Sequence, residues 1–241
     1  MYLSDDEIIE LIIKKKRKKK RRQRVIRRVS FLLICFIVFA FGIGTFINKQ
    51  INKPPRGIIF IDPAHGGVDA GSFVGKRYEK DDTLTFALAV RDELINLNFK
   101  VYMSRESDKD VDVNERGKMA NNKNADLFVS IHRNKAEEGS GVEIYIPSTN
   151  EEASRLLANN IYNAMKSCGF DGRDVRRGSL LSEKEDYAEN STSNMPSCLV
   201  ELGFLQNKND NKLFDENLKE NAEAFATAIS DTFAKLYEPE S

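Results

Sequence analysis

The chain has 241 residues, 41% of them hydrophobic, with 37 basic and 37 acidic side chains. That length suits one good-sized domain plus an appendage. The zero net charge hides a split: residues 1–50 hold thirteen Lys/Arg and four Asp/Glu, leaving 24 basic against 33 acidic, about −9, for the rest, which argues against nucleic-acid binding.

Residues 1–28 form a tail with twelve Lys/Arg between Lys14 and Arg28. Taken alone, such a run reads as a nucleic-acid arm. The nineteen uncharged residues that follow, Val29 to Ile47, change that reading. They are long enough to cross a bilayer as a helix, and Phe and Ile surround the whole circumference with no polar face. A cleaved signal peptide is the rival, with Ala40-Phe41-Gly42 as its small-x-small site, but 28 residues are long for the segment preceding its apolar run. An uncleaved anchor is therefore expected at 29–47. The basic side stays in the cytoplasm, and everything after the anchor lies outside the cytoplasmic membrane. Residues 48–56 read as a short linker kept extended by Pro54-Pro55.

From Gly57 to about residue 238, short apolar runs alternate with helical patterns. Strands are predicted at 57–62, 99–104, 126–132, 142–147 and 197–202. Helices are predicted at 81–96 (inner side Leu84, Leu88, Val90, Leu94 and Ile95), 113–124 and 150–168, with one or two more over 213–237. This alternation implies an α/β domain with a mostly parallel twisted sheet flanked by helices. The strand at 126–132 is apolar nearly throughout, as in a strand covered on both faces. Residues 182–194 read as a mobile loop bordering the cleft. Cys168 and Cys198 are open to pairing as a disulfide, or to Cys198 packing as a buried thiol; no C-x-x-C exists to suggest a thiolate zinc site.

The two histidines of the chain, His65 and His132, each close an apolar strand-like run, and Glu201 closes a third. Open α/β sheets build their sites at the C-terminal ends of parallel strands. A glutamate there is costly to bury without a partner, and either a metal ion or a buried salt bridge would serve. A fourth acid, Glu79, precedes the helix at 81–96, although Asp62, Asp69 and Asp81 are alternative oxygen donors nearby. Two imidazoles and a carboxylate suit a catalytic zinc with an open position, where a coordinated water reaches a pKa of about 7. A second carboxylate then handles the proton. The intervals of 13, 52 and 68 residues between the four are not diagnostic by themselves.

The wording of the segments is more specific. Asp62-Pro63-Ala64-His65-Gly66-Gly67, Tyr78-Glu79-Lys80-Asp81, Ser130-Ile131-His132-Arg133-Asn134 and Asn194-Met195-Pro196 through Glu201-Leu202-Gly203-Phe204-Leu205-Gln206-Asn207 together resemble the zinc-dependent N-acetylmuramoyl-L-alanine amidases of bacterial cell walls, the type 3 family. Ser104-Arg105, Asp108, Arg116 and Ala120-Asn121 also fall in family order. The resemblance covers 57–237. It implies that His65, Glu79 and His132 bind Zn²⁺ and that Glu201 is the general base and acid. It also implies that the substrate is peptidoglycan, cut between the lactyl group of N-acetylmuramic acid and L-alanine. Other readings are a carboxypeptidase-like zinc hydrolase and a catalytically weak wall-binding or activator domain. The sequence identifies no activator protein.

Two departures stand out. Ala64 replaces a glycine usual in the family, which would shift the loop if that position needs a positive φ. Arg133 and Lys135 flank Asn134 where small residues are usual, and would add positive charge beside the metal. Arg105 and Arg116 read as structural ion-pair residues, and Asn134 as a support for the ligands. No long helical plug fits between His132 and Glu201.

Overall fold

The structure is a computed structural model that describes residues 14–22, Phe36, Phe39, 54–149 and 151–239. It separates into two compact units, Met1–Pro54 and Pro55–Ser241. In the first, residues 14–22 of the basic run are helical and exposed, and Phe36 and Phe39 are helical and exposed as well. Among the described residues no helix is long and apolar enough to cross a membrane. The span expected at 29–47 lies outside them apart from Phe36 and Phe39.

The second unit begins with β1 (Ile58–Pro63), a two-stranded hairpin of β2 (Phe73–Val74) and β3 (Arg77–Tyr78), and α1 (Glu79–Asn96). It continues with β4 (Lys100–Met103), α2 (Val113–Asn122), β5 (Leu127–Asn134) and β6 (Val142–Ile146). Then come α3 (Glu151–Ser167), β7 (Gly172–Arg177), the single turn α4 (Ala188–Ser191), β8 (Ser197–Phe204), α5 (Lys208–Glu216) and α6 (Leu218–Tyr237). Six strands form one sheet in the order β4-β1-β5-β8-β6-β7. Neighbours pair in parallel except β6 and β8, which are antiparallel. The sheet is therefore mostly parallel, as expected. The reversal has a physical reason: only residues 135–141 join β5 to β6, too few for the helical crossover that a parallel return requires.

Alternation along the strands sorts side chains onto two unequal faces. Ile59 and Ile61 of β1, Leu127, Val129 and Ile131 of β5, Val142 and Ile144 of β6, and Cys198 and Val200 of β8 point to one face. There they pack against Phe86, Val90 and Leu94 of α1, Leu157 and Ile161 of α3, and Phe225 and Ile229 of α6. The buried side of α1 is thus Thr83, Phe86, Ala87, Val90 and Leu94, rotated from the expected one, and Ile95 is exposed. The opposite face carries a much smaller cluster of Phe60, Phe128, Ala120 and Ala125, with Met119 of α2 and Met195 beside it. Cys168 and Cys198 are both free thiols, so no disulfide joins them.

Candidate metal centre

The parallel register brings the C-terminal ends of β1, β5 and β8 side by side, and His132 and Glu201 are direct register partners. Both follow the parity of Phe128 and Leu199, so both rise from the thinly covered face. Glu143 is the register partner of Glu201 on β6. It reaches the same end of the sheet because β6 runs the other way.

β1 breaks at Pro63, and three successive residues adopt positive φ: His65 at 61°, Gly66 at 129° and Gly67 at 59°. Ala64 is not among them, so the replacement of glycine there imposes no backbone strain and the anticipated loop shift is absent. The strain falls on His65, where a left-handed conformation costs about 1–2 kcal/mol. Polar contacts, some of them buried, hold it there. Arg116 pairs with Asp62 at 2.7 Å and donates to the His65 carbonyl at 3.0 Å. Asp62 also accepts from the hydroxyls of Ser104 and Ser130. Asp108 accepts from the Gly67 amide at 2.7 Å. Arg116 is the structural ion-pair residue expected. Arg105 instead donates to the carbonyls of Pro63, Ala64 and Lys80.

Glu79 is the first residue of α1, where the helix dipole favours a carboxylate. Its Oε2 accepts from the Ser72 amide at 2.9 Å. Its Oε1 accepts from the Arg133 amide at 3.1 Å and lies 3.2 Å from both His65 Nε2 and His132 Nδ1. Gly71, at φ 64°, runs underneath: a Cβ there would sit 2.5 Å from the His65 ring and 2.9 Å from Glu79 Oε2. His65, Glu79 and His132 thus each offer one ligand atom, all within 4.8 Å of one another. None of the three competing donors joins this cluster: Asp62 is spent on Arg116, Asp69 is on the far side of the His65 ring, 2.7 Å from Nδ1, and Asp81 is exposed.

The charges respond to this crowding. Burial alone would raise Glu79, but its contacts with His132 and His65 outweigh burial and hold it well below the usual carboxylate range. Burial would lower both histidines; contact with Glu79 raises His65, and contact with Glu189 and Glu79 raises His132 further. Glu201 moves the other way. Burial pushes it up to about 7, with the negative charges of Glu79 and Glu143 adding to the shift. Its Oε2 is buried without a hydrogen-bond partner.

A family model described as N-acetylmuramoyl-L-alanine amidase matches residues 59–232. The chain belongs to that family. Among its relatives are an uncharacterized Bacillus subtilis protein, 37% identical over 78% of this chain and 89% of the relative, and the germination-specific N-acetylmuramoyl-L-alanine amidase of the same organism, 29% identical over 78% and 85%. An N-acetylmuramoyl-L-alanine amidase from Clostridium difficile 630 superposes with a TM-score of 0.65 at 28% identity, covering 73% of this chain and 95% of that one. The catalytic domain of CwlV, an amidase from Bacillus (Paenibacillus) polymyxa, superposes at 0.63 with 29% identity, covering 76% and 99%. The function of the chain is accordingly that of an N-acetylmuramoyl-L-alanine amidase, a peptidoglycan hydrolase.

The structure gathers His65, Glu79 and His132, sets Glu201 on the strand beside His132, and corrects their surroundings. Arg133 is buried and turned away from the centre, pairing with Asp82 and donating to Asn211, so it adds no charge beside the histidines. Lys135 lies over the Phe73 ring at 5.1 Å. Asn134 reaches Glu143, not a ligand. The 182–194 stretch reaches the centre through Glu189, which lies 3.3 Å from His132 Nε2; it holds the turn α4 and buries Glu189 and Asn190. Glu189 went unremarked in the sequence because a lone acid in a polar stretch carries no periodic signal.

Proposed function

We propose that this amidase is zinc-dependent, with His65, Glu79 and His132 as the ligands and Glu201 as the residue that carries the proton. One observation supports the reading above the others: the two 3.2 Å separations between Glu79 Oε1 and the histidine nitrogens. Ligand atoms about 2.0–2.1 Å from a tetrahedral zinc lie about 3.3 Å apart. The donor set agrees, since two imidazoles and one carboxylate leave a position open to substrate or water. Bound zinc would supply Lewis-acid chemistry, polarising the scissile carbonyl and acidifying water close to neutrality.

The chain's own groups do the rest. Glu201 is unpartnered at Oε2, and burial favours its protonated form, so it is placed both to accept a proton and to return it. It takes one proton from the attacking water as oxygen bonds to the lactyl carbonyl carbon. It delivers that proton to the alanine nitrogen as the carbon–nitrogen bond breaks. The products are the free lactyl carboxylate and the stem peptide with a new amino terminus. Asp62, Arg116, Ser104 and Ser130 keep the loop that aims His65 in place.

We read residues 29–47 as an uncleaved anchor that holds this domain against the outer side of the cytoplasmic membrane, with residues 1–28 inside. The basic residues on one side of an uncharged nineteen-residue run support that orientation.

The test is digestion of purified muropeptides by the full chain in detergent with added zinc, read by mass spectrometry. Products should be sugar chains bearing a free lactyl carboxylate and intact stem peptides. Glu201→Gln should lower kcat/KM by about 10²–10⁴-fold while zinc still binds. Loss of terminal residues with the sugar–peptide amide intact would instead identify a carboxypeptidase.

A further inference from the structure

Both histidines of the centre have two carboxylates, one at each ring nitrogen. His65 Nε2 faces Glu79 at 3.2 Å, and its Nδ1 contacts Asp69 at 2.7 Å. His132 Nδ1 faces Glu79 at 3.2 Å, and its Nε2 lies 3.3 Å from Oε1 of Glu189. The second of these outer carboxylates belongs to no motif of the sequence and has no part in the mechanism above.

Glu189 is placed by the fold. Its side chain is 6% exposed, in the turn α4, and the turn is fixed on both sides. Asn190 donates to the Tyr145 carbonyl of β6 at 3.1 Å. Asn121 of α2 donates to the Thr192 carbonyl at 2.8 Å and accepts from the Asn194 amide at 2.9 Å. Gly117 of α2 runs so close beneath that a Cβ there would meet the Glu189 carbonyl oxygen at 2.8 Å. Burying a carboxylate in such a place is costly unless a specific partner meets it. Among the described residues, the ion-pair partner of Glu189 is His132. The His132 Nε2 atom is itself buried and has no aligned hydrogen-bond partner, so this nitrogen needs an acceptor whenever it carries a proton.

We propose that Glu189 is a positioning residue of the metal centre: it takes the Nε2 proton of His132 as Asp69 takes the Nδ1 proton of His65, so that the two histidines present opposite ring nitrogens, Nδ1 and Nε2, to the ion. The inference rests on the zinc reading given above. A metal-bound imidazole is neutral, and the partner at its other nitrogen fixes tautomer and ring orientation. The residue between α3 and β8 that faces His132 thereby becomes a determinant of metal affinity, though it is not a ligand.

Zinc affinity of the full chain, measured by competition with a chromogenic chelator, tests this together with the visible spectrum of the cobalt-substituted protein. Glu189→Ala should weaken zinc binding by about 10–100-fold and shift the cobalt bands. Glu189→Gln, which keeps an oxygen acceptor, should lose less. Affinity and spectrum unchanged in Glu189→Ala would overturn the proposal. So would tighter binding, the result expected if Glu189 competes for the open position. Should Glu189→Ala fail to fold, nitrogen-15 spectra of the unsubstituted zinc-loaded chain decide. A slowly exchanging His132 Nε2 proton supports the assignment, and ligation through Nε2 refutes it. If the unsubstituted chain binds no zinc at all, the reading of the centre fails first; if it binds and Glu189→Ala binds equally, only this inference fails.

Discussion

The two faces of the central sheet are made from the same strands, yet they do opposite work. On one face, Ile59, Ile61, Val129, Ile131 and Val200 meet three long helices in a continuous apolar layer. On the other, each strand places one aromatic or apolar residue low in the layer and a polar one above it. Phe60 is followed by Asp62, Phe128 by Ser130 and His132, and Leu199 by Glu201. The difference in cover explains the difference in chemistry. The face closed by α1, α3 and α6 is filled with apolar side chains. The face that carries α2 and the turn α4 has a smaller apolar cluster and sets polar side chains at the strand ends. Stability is concentrated on the first face and reactivity on the second, with strand alternation keeping them apart.

The largest effects should break one face at a time. Phe86→Ala, deep in the thick layer, should cost about 3–5 kcal/mol in urea denaturation. Zinc affinity of the folded fraction should be unchanged; an equal loss of affinity would show that the two faces are not separable. Arg116→Met strands Asp62 in a buried pocket and should cost a similar 3–5 kcal/mol. Because Arg116 also holds the His65 carbonyl, this variant should weaken zinc binding too. Adding Asp62→Asn should restore part of the stability without restoring the metal affinity.

A smaller effect follows from pH. In the metal-free protein Glu79 titrates below its ordinary value, so its contribution is present above about pH 4.5 and is lost as pH falls further. His65 and His132 titrate above theirs, so their contribution is complete below about 6.5 and disappears as pH rises through the folded values. Glu201, raised to about 7, adds to the same decline, because the folded state holds its proton longer than the unfolded one. Melting temperature without metal should therefore peak near pH 4.5, where the Glu79 contribution is complete and the Glu201 decline begins, and fall toward pH 8. With zinc it should rise over the same interval, since the ligands must be deprotonated to bind. Glu201→Gln should flatten the metal-free decline, and a metal-free melting temperature that climbs from pH 6 to 8 would refute these directions.

The thick face was legible in the sequence because strands covered on both sides are written as apolar runs, and those runs located β1, β5, β6 and β8. The four central residues were legible for a related reason, as polar groups interrupting the ends of such runs or lying within recognisable segments. What was missed lacks hydrophobic pattern. β7 reads Gly-Arg-Asp-Val-Arg-Arg and is the exposed edge of the sheet, so one apolar side chain is all it needs. The β2–β3 hairpin is two residues per strand, too short for a period to register. Glu189 depends on the path of a polar connection, which only the folded chain reveals. The antiparallel turn of β6 could have been anticipated from the seven residues that precede it.

Ala64 gives the smallest and most discriminating test. An alanine in place of the family's glycine would shift the first ligand loop if that position needed a positive φ. In the structure Ala64 is fully buried and outside the positive-φ run, with its amide donating to the Ile131 carbonyl at 3.1 Å and its carbonyl accepting from Thr83 and Arg105. Glycine at this site would gain nothing in the folded state and would add freedom to the unfolded chain. Ala64→Gly should therefore lower stability by about 0.4–1 kcal/mol and leave zinc affinity and kcat/KM unchanged. A variant that instead gains tenfold or more in activity would mean that this methyl group disturbs the centre after all, and that the strain now assigned to His65 has been placed one residue too late.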